Sequence, residues 1–409
     1  MVMPAHNARP AGHEYDLTVE VYDTLDKVSS MWRAFERNAI GGPHDAFEWN
    51  DAWARTAGKS CKPLIAVGRN ETGDILFLLP LTIHKHLGCD VLEWLGASQG
   101  NYSSGLFHRD AWSHGALPQG QELLQIILNA LPPVDAVHLD KNPVNHGPDS
   151  TPLASLPSIN EASAGYKFPI QDDFEVQMNE RLSKSHRHKL RRSMRRLAEE
   201  GNFSFKKVPH GPERLHVLDA IIGEKKQWFA ERGIPNWFED PEIRRFFETL
   251  VQLPDQKDGL STSMFCMSVD DKMIAANIGL IFQNTLYGLI TCTAYGPMRR
   301  HGPGRILFMR TVEHMAIDGI EAVDCGAGED ENKLRWCTEQ RIRLHTLVPV
   351  TAKGRLYTSA LKAELLIKAQ IKQSPQLWNL AKRVRQWTSA LRSPAATKPA
   401  DLTASSSKA

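Results

Sequence analysis

The stretch that most restricts what this chain can fold into is residues 295–336, YGPMRRHGPGRILFMRTVEHMAIDGIEAVDCGAGEDENKLRW. Arg299, Gly302 and Gly304 form an Arg-x-x-Gly-x-Gly turn there. Ile306, Met309, Val312 and Ala316 then recur at helical spacing. Gly319 stands where the left-handed residue after a helix belongs. Residues 285–293, TLYGLITCT, read as a strand before the turn, and residues 320–324 as a strand after the helix, broken by Cys325-Gly-Ala-Gly328. A glycine turn feeding a helix presents unpaired backbone N–H groups and the positive end of the helix dipole. That suits a phosphate or pyrophosphate, and a side chain at the glycines would hold the anion away from the backbone.

In this context the turn resembles the acyl-CoA-binding turn of the GNAT acetyltransferases. The wider order is similar to the CelD-like acetyltransferases of cellulose and polysaccharide biosynthesis, relatives of the Fem peptidyltransferases. Pro303-Gly304, Asp324, Gly326, Gly328, Glu329 and Lys333 carry that likeness. The resemblance implies acetyl-CoA or another acyl-CoA as co-substrate, with no metal. It implies donor contacts from Arg299, Arg300, His301, Gly302, Gly304 and Arg305, and from Thr291 and Thr293 on a strand whose backbone N–H groups polarise the thioester.

The chain has 409 residues, of which 42% are hydrophobic, enough for two or three domains with real cores. A net charge of +2 favours no particular partner. Six scattered cysteines include no CxxC pair and no metal-type spacing, so reduced core cysteines of a cytoplasmic protein are expected. No signal-peptide core and no apolar run of about 18 residues is present.

Taken in order, residues 1–13 read as a tail. Residues 14–165 read as a helix, a hairpin around Asn70-Glu-Thr-Gly73, further strands and a helix over 123–131, the order of a GNAT-like domain without a cofactor turn. Residues 142–163, rich in Pro, Ser, Asn and Gly, read as a linker. Residues 166–352 read as the acyltransferase domain, closing on a strand at 341–350. The expected class is α/β (α+β): tandem GNAT-like domains, each a mixed, mostly antiparallel sheet flanked by helices. A helical extension over 353–392 and a tail over 393–409 follow.

Residues 182–200, LSKSHRHKLRRSMRRLAEE, predict a basic helix with Leu190, Met194 and Leu197 on its apolar face. It reads either as a solvated packing helix or as an anion-binding one, for which the resemblance singles out Arg187 and Arg191. Residues 375–391 predict a second basic helix. It suits docking on the body or contact with an anionic membrane surface, the latter giving peripheral attachment at the inner membrane.

Acyl transfer to an amine needs a held pyrophosphate, a polarised carbonyl, a base and an acid for the leaving thiolate. Asp324 at a strand end is the expected base, with Glu329 near it. Lys333 would hold an anionic acceptor or form a buried pair with Asp324. Tyr295 and Tyr287 are candidates for the acid. Asn101 and Tyr102 match the family's first half as substrate contacts, while Trp49 suits core packing. The expected function is acyl-CoA-dependent transfer to a small-molecule or saccharide acceptor. Two alternatives stand beside it: a Fem-like transferase using aminoacyl-tRNA, the one reading with a nucleic-acid partner, and a non-catalytic binding module of the same fold.

Overall fold

The computed structural model describes residues 17–146, 149–256 and 258–374. The expected helix over 375–391 and both tails lie outside them. Two mixed sheets form the frame, each mostly antiparallel and each flanked by helices. The first follows the order Thr18–Tyr22, Pro63–Arg69, Ile75–His86, Cys89–Trp94, Ala136–Pro143, Arg343–Pro349, Ser158–Asn160. The second follows Phe203–Lys207, Ser261–Val269, Lys272–Phe282, Thr285–Thr293, Ala322–Ala327, Gly165–Pro169, Glu339–Arg341. Each sheet contains one parallel pair on these paths: Cys89–Trp94 with Ala136–Pro143, and Thr285–Thr293 with Ala322–Ala327.

Arg343–Pro349 corrects the expected boundary. The strand read at 341–350 as the close of the second domain divides at Ile342. Glu339–Arg341 pairs with Gly165–Pro169 in the second sheet. Arg343–Pro349 instead lies in the first sheet, between Ala136–Pro143 and Ser158–Asn160. Side chains alternate along an extended chain, so Ile342 is exposed while Arg341 and Arg343 both turn inward and are buried. Arg343 donates to the carbonyl oxygens of Asn101 and Ser163 at 2.7 and 2.9 Å and pairs with Glu161. The expected linker at 142–163 is thus partly structured. It contributes the short Asn145–His146/Asp149–Ser150 hairpin and the strand Ser158–Asn160.

A shared apolar core binds the halves. Trp32, Phe47 and Trp49 of the first half pack in one cluster with Phe246, Ile278 and Tyr287 of the second. Trp49 and Phe246 meet edge to face at 4.9 Å, and the Trp49 indole donates to the Gly96 carbonyl at 3.1 Å. Trp49 is core, as its sequence position suggests. The opposite face of the second sheet is covered by the helices Lys184–Glu199 and Pro303–Ile317 through Leu197, Ile306, Met309 and Val312. The basic stretch forms the helix Lys184–Glu199, separated from the preceding helix Phe174–Arg181 because the Ser183 hydroxyl caps it by accepting from the His186 N–H.

Glu36 is buried beside this shared core and accepts the Phe47 N–H at 2.9 Å. Burial, with the charge of Glu48 adding to it, pushes its carboxyl up from 4.5 to about 8. The folded chain therefore keeps a proton that the unfolded chain releases. This contribution to stability is complete below pH 4.5 and is lost as pH rises through about 8. Glu36→Gln should flatten the stability profile in that window, by up to about 5 kcal/mol. Denaturant titrations at either end of the window provide the check. Parallel profiles for variant and parent would contradict it.

Candidate active site

The glycine turn is built as its sequence requires. Strand Thr285–Thr293 ends, a 3-10 turn covers Pro297–His301, and helix Pro303–Ile317 begins. Gly302 adopts φ +63°, ψ +52°, a left-handed conformation in which glycine is favoured. It is the residue before the helix, and no side chain caps that end. A Cβ on Gly304 would stand 2.9 Å from the Thr293 hydroxyl. These two glycines keep the helix N-terminus open to a ligand.

A cavity of about 470 Å³ opens at this point. Thr291, Thr293, Arg299, Gly302, Gly304 and Arg305 line it at the turn, and Cys325, Asn332 and Lys333 lie further along. Two cations thus stand with the positive end of a helix dipole. Between Thr285–Thr293 and Ala322–Ala327 the parallel pairing runs only from Thr285↔Ala322 to Tyr287↔Asp324. Beyond Tyr287 the two strands separate, while Ile290, Thr291, Cys292 and Thr293 stay paired with Lys272–Phe282 on the other side. The strand whose backbone N–H groups the resemblance assigns to the thioester thus has no ladder partner on this side beyond Tyr287.

A residue of the first half sits at the apex of the split. The Asn101 side chain donates to the Gly288 carbonyl at 3.3 Å on one strand and accepts the Ala327 N–H at 3.4 Å on the other. The fit is tight, since a Cβ on Gly326 would lie 2.9 Å from the Asn101 amide nitrogen. Tyr102 is buried and donates to Asp324 at 3.0 Å. It therefore locks the seam and is not placed to touch a substrate.

The expected base is corrected by its surroundings. Asp324 is fully buried and does not line the cavity. One oxygen accepts from Tyr102 and from the Gly326 N–H at 2.8 Å, and the other from Arg341 at 3.1 Å. A carboxylate engaged in this way anchors the seam and has no oxygen directed at an acceptor. Lys333 is not its partner. The Lys333 ammonium donates to the carbonyls of Gly326, Ala327 and Gly328 at 3.2, 3.0 and 2.9 Å, which shapes the acidic loop at the cavity wall. Glu329 accepts from Tyr166 at 2.9 Å. Tyr287 is buried beside Arg341 and Asp324, and burial pushes its phenol up to about 12.

Other expected contacts separate into two groups. Arg300 and His301 both bind Glu200 at the end of the basic helix, with His301 at 3.0 Å and buried, so neither faces the cavity. Arg187 donates to the carbonyls of Leu182 and Asn179, tying the basic helix to the helix Phe174–Arg181 before it. Arg191 lies 3.6 Å from Glu175 at the surface. Lys189, His186 and Arg305 instead line a smaller recess of about 40 Å³ beside the main cavity.

Sequence reasoning missed Arg341, because its partner lies in another strand and nothing local marks it. Tyr295, a candidate acid from the sequence, stands at the open end of the split strand, and the two carboxylates it meets there were also missed. There Glu224 accepts the Tyr295 N–H at 2.9 Å, and the Tyr295 hydroxyl donates to Glu231 at 2.7 Å. Burial and then the Glu231 charge raise the Tyr295 phenol, so it stays protonated. Arg299 lies over its ring at 4.6 Å.

Residues 184–334 match the sequence profile of the family described as Acetyltransferase (GNAT) domain. No curated protein gives a significant match in sequence. The crystal structure of FemX aligns over 80% of this chain and 96% of its own at 10% identity, with a TM-score of 0.52. L-PGS from Bacillus licheniformis aligns over 84% and 97% at 11% identity and a TM-score of 0.47. A tandem GNAT protein from the clavulanic acid biosynthesis pathway aligns over 82% and 99% at 10% identity and 0.44. At such identities only the FemX likeness bears on the argument, and it bears on fold alone. The profile match spans the glycine turn and the split strand, so over residues 184–334 this chain is similar to the GNAT acetyltransferase domain.

Proposed function

We propose that the chain transfers an acyl group from a CoA thioester to an amine or hydroxyl acceptor. The observation that carries this reading is the cavity running from the uncapped helix N-terminus at Gly302–Gly304 along the free edge of Thr285–Thr293. Arg299, Arg305 and the helix N–H groups would hold the pyrophosphate, and the glycines leave the room that a Cβ would fill. The free strand edge offers backbone N–H groups to the thioester carbonyl. With Asp324 engaged on every side, the proton-handling group we assign is Tyr295 with Glu224 and Glu231, which stands just past the end of the strand and outside the cavity lining, so an acceptor has to approach from that open end. Tyr295 can donate to the departing thiolate, and a carboxylate beside it can receive the acceptor's proton.

A pathway in polysaccharide or envelope metabolism follows only from the resemblance to the CelD-like proteins. No helix among the described residues is long and apolar enough to cross a membrane, and we place the protein in the cytoplasm on that resemblance. The basic helix Lys184–Glu199, packed beside the phosphate turn, favours one other donor, an aminoacyl-tRNA. Isothermal titration of the full chain with acetyl-CoA and with charged tRNA distinguishes the two. Saturable binding of acetyl-CoA alone is the expected result. Binding of charged tRNA alone would replace this reading, and binding of neither would leave only a non-catalytic module.

A further inference from the structure

Strand Ile75–His86 carries His84 and His86 two residues apart, so both side chains leave the same face of the sheet. Its antiparallel neighbour Cys89–Trp94 places Glu93 opposite Thr82, diagonal to His84 on that face. His84 Nδ1 lies 2.7 Å from one Glu93 oxygen and His86 Nε2 lies 2.9 Å from the other. The potential ligand atoms of the three residues fall within 4.8 Å of one another. Their side chains are 36%, 42% and 21% exposed, so the group is reachable from solvent.

We propose that His84 Nδ1, His86 Nε2 and the Glu93 carboxylate form a binding site for Zn²⁺ or a neighbouring first-row divalent ion. Two imidazoles and one carboxylate are a nitrogen-rich donor set that suits zinc and discriminates against Mg²⁺ and Ca²⁺. Donor atoms around tetrahedral zinc stand roughly 3.4 Å apart, so the contacts of 2.7 and 2.9 Å need to open by about 0.7 and 0.5 Å.

The surroundings add a second, independent observation. The far nitrogen of His84 lies 3.0 Å from the Cys61 sulfur, and His138 Nδ1 lies 3.8 Å from Glu93. Outer partners of this kind fix the ring and carboxylate orientation of metal ligands. Tyr357 of helix Ala352–Gln373 stacks on His86 with ring centres 6.0 Å apart, which shields one side of the group. A bound ion would clip the two strands of the hairpin that turns at Leu87–Gly88. The site lies in the first sheet, whereas the acyl cavity lies in the second. It is independent of the acyl-transfer reading. No metal was expected from the sequence, because the reading sought cysteine spacings and this group forms only when the two strands pair.

The test uses the full chain without an affinity tag. Co²⁺ is added with its visible absorption followed, Zn²⁺ is added to displace it, and Mg²⁺ serves as a control. One equivalent of Co²⁺ displaced by Zn²⁺, with no Mg²⁺ binding, is the expected result. Glu93→Gln should weaken Zn²⁺ binding by at least about tenfold. His84→Ala/His86→Ala should abolish it, while the distant control His314→Ala leaves it unchanged. Zn²⁺ should raise the melting temperature of the parent but not of His86→Ala, whose half-exposed site makes misfolding an unsuitable explanation. Absence of stoichiometric binding, or binding that survives intact in the double variant, overturns the proposal.

Discussion

Gly304→Glu is expected to abolish CoA binding in a chain that remains folded. The new carboxylate would enter the first turn of helix Pro303–Ile317. An acid there is favourable for the helix by about 0.3–1 kcal/mol, and replacing glycine in a helix removes a comparable entropic cost. Against this, a Cβ meets the Thr293 hydroxyl at 2.9 Å and requires that side chain to yield. Stability should therefore change by no more than about 1 kcal/mol. Binding responds differently, because the carboxylate stands where the pyrophosphate would sit. Two like charges about 4 Å apart near a protein surface repel by about 4 kcal/mol. The expected loss in affinity exceeds about 100-fold, measured by titration with acetyl-CoA. A folded variant with the parent's affinity would remove this turn from the donor site.

The second large effect concerns the buried pair of Asp324 and Arg341, 3.1 Å apart and 0% and 4% exposed. Arg341→Met would leave Asp324 buried with only the Tyr102 hydroxyl and the Gly326 N–H. Stranding one partner of a buried pair costs about 3–5 kcal/mol. Asp324→Asn should cost somewhat less, because Arg341 keeps the Asn145 carbonyl and His146, each at 3.2 Å, and a longer ion pair with Glu339 at 3.7 Å. The double variant Asp324→Asn/Arg341→Met should recover part of the sum, as a coupled pair does. Lys333→Ala removes donations to carbonyls at the edge of the cavity and should cost far less. Thermal and denaturant unfolding of the four variants is the check. If Asp324→Asn melted with the parent yet lost turnover, its role as the base would have to be reinstated.

Much of the donor side was legible in the chain. The Arg299–Gly304 turn, the helix after it and the strands on either side depend on local signals: glycine conformation, apolar spacing and β-branched runs. Thr291, Thr293, Arg299, Gly302, Gly304 and Arg305 all line one cavity. Residues read by adjacency alone fared less well. Arg300 and His301 stand in the same turn, yet the 3-10 turn Pro297–His301 directs them to Glu200. Asp324 and Lys333 flank the acidic loop, which admits a buried pair as one alternative, but neither is the other's partner.

By itself, then, the sequence determined the kinds of element and the one place where backbone could meet an anion, since both follow from interactions within a few residues. Tertiary structure alone decided which strands are neighbours. Alternation marks residues 343–349 as a strand but carries no information about its sheet, because backbone hydrogen bonding is the same for any partner. The fold sends that strand back into the first sheet and turns Arg341 onto Asp324 and Arg343 onto the Asn101 carbonyl. It places Asn101 in the split of the second sheet, and it gathers His84, His86 and Glu93 on one face of the first. Each of these joins separate segments of the chain, set by register and packing, which no local pattern encodes.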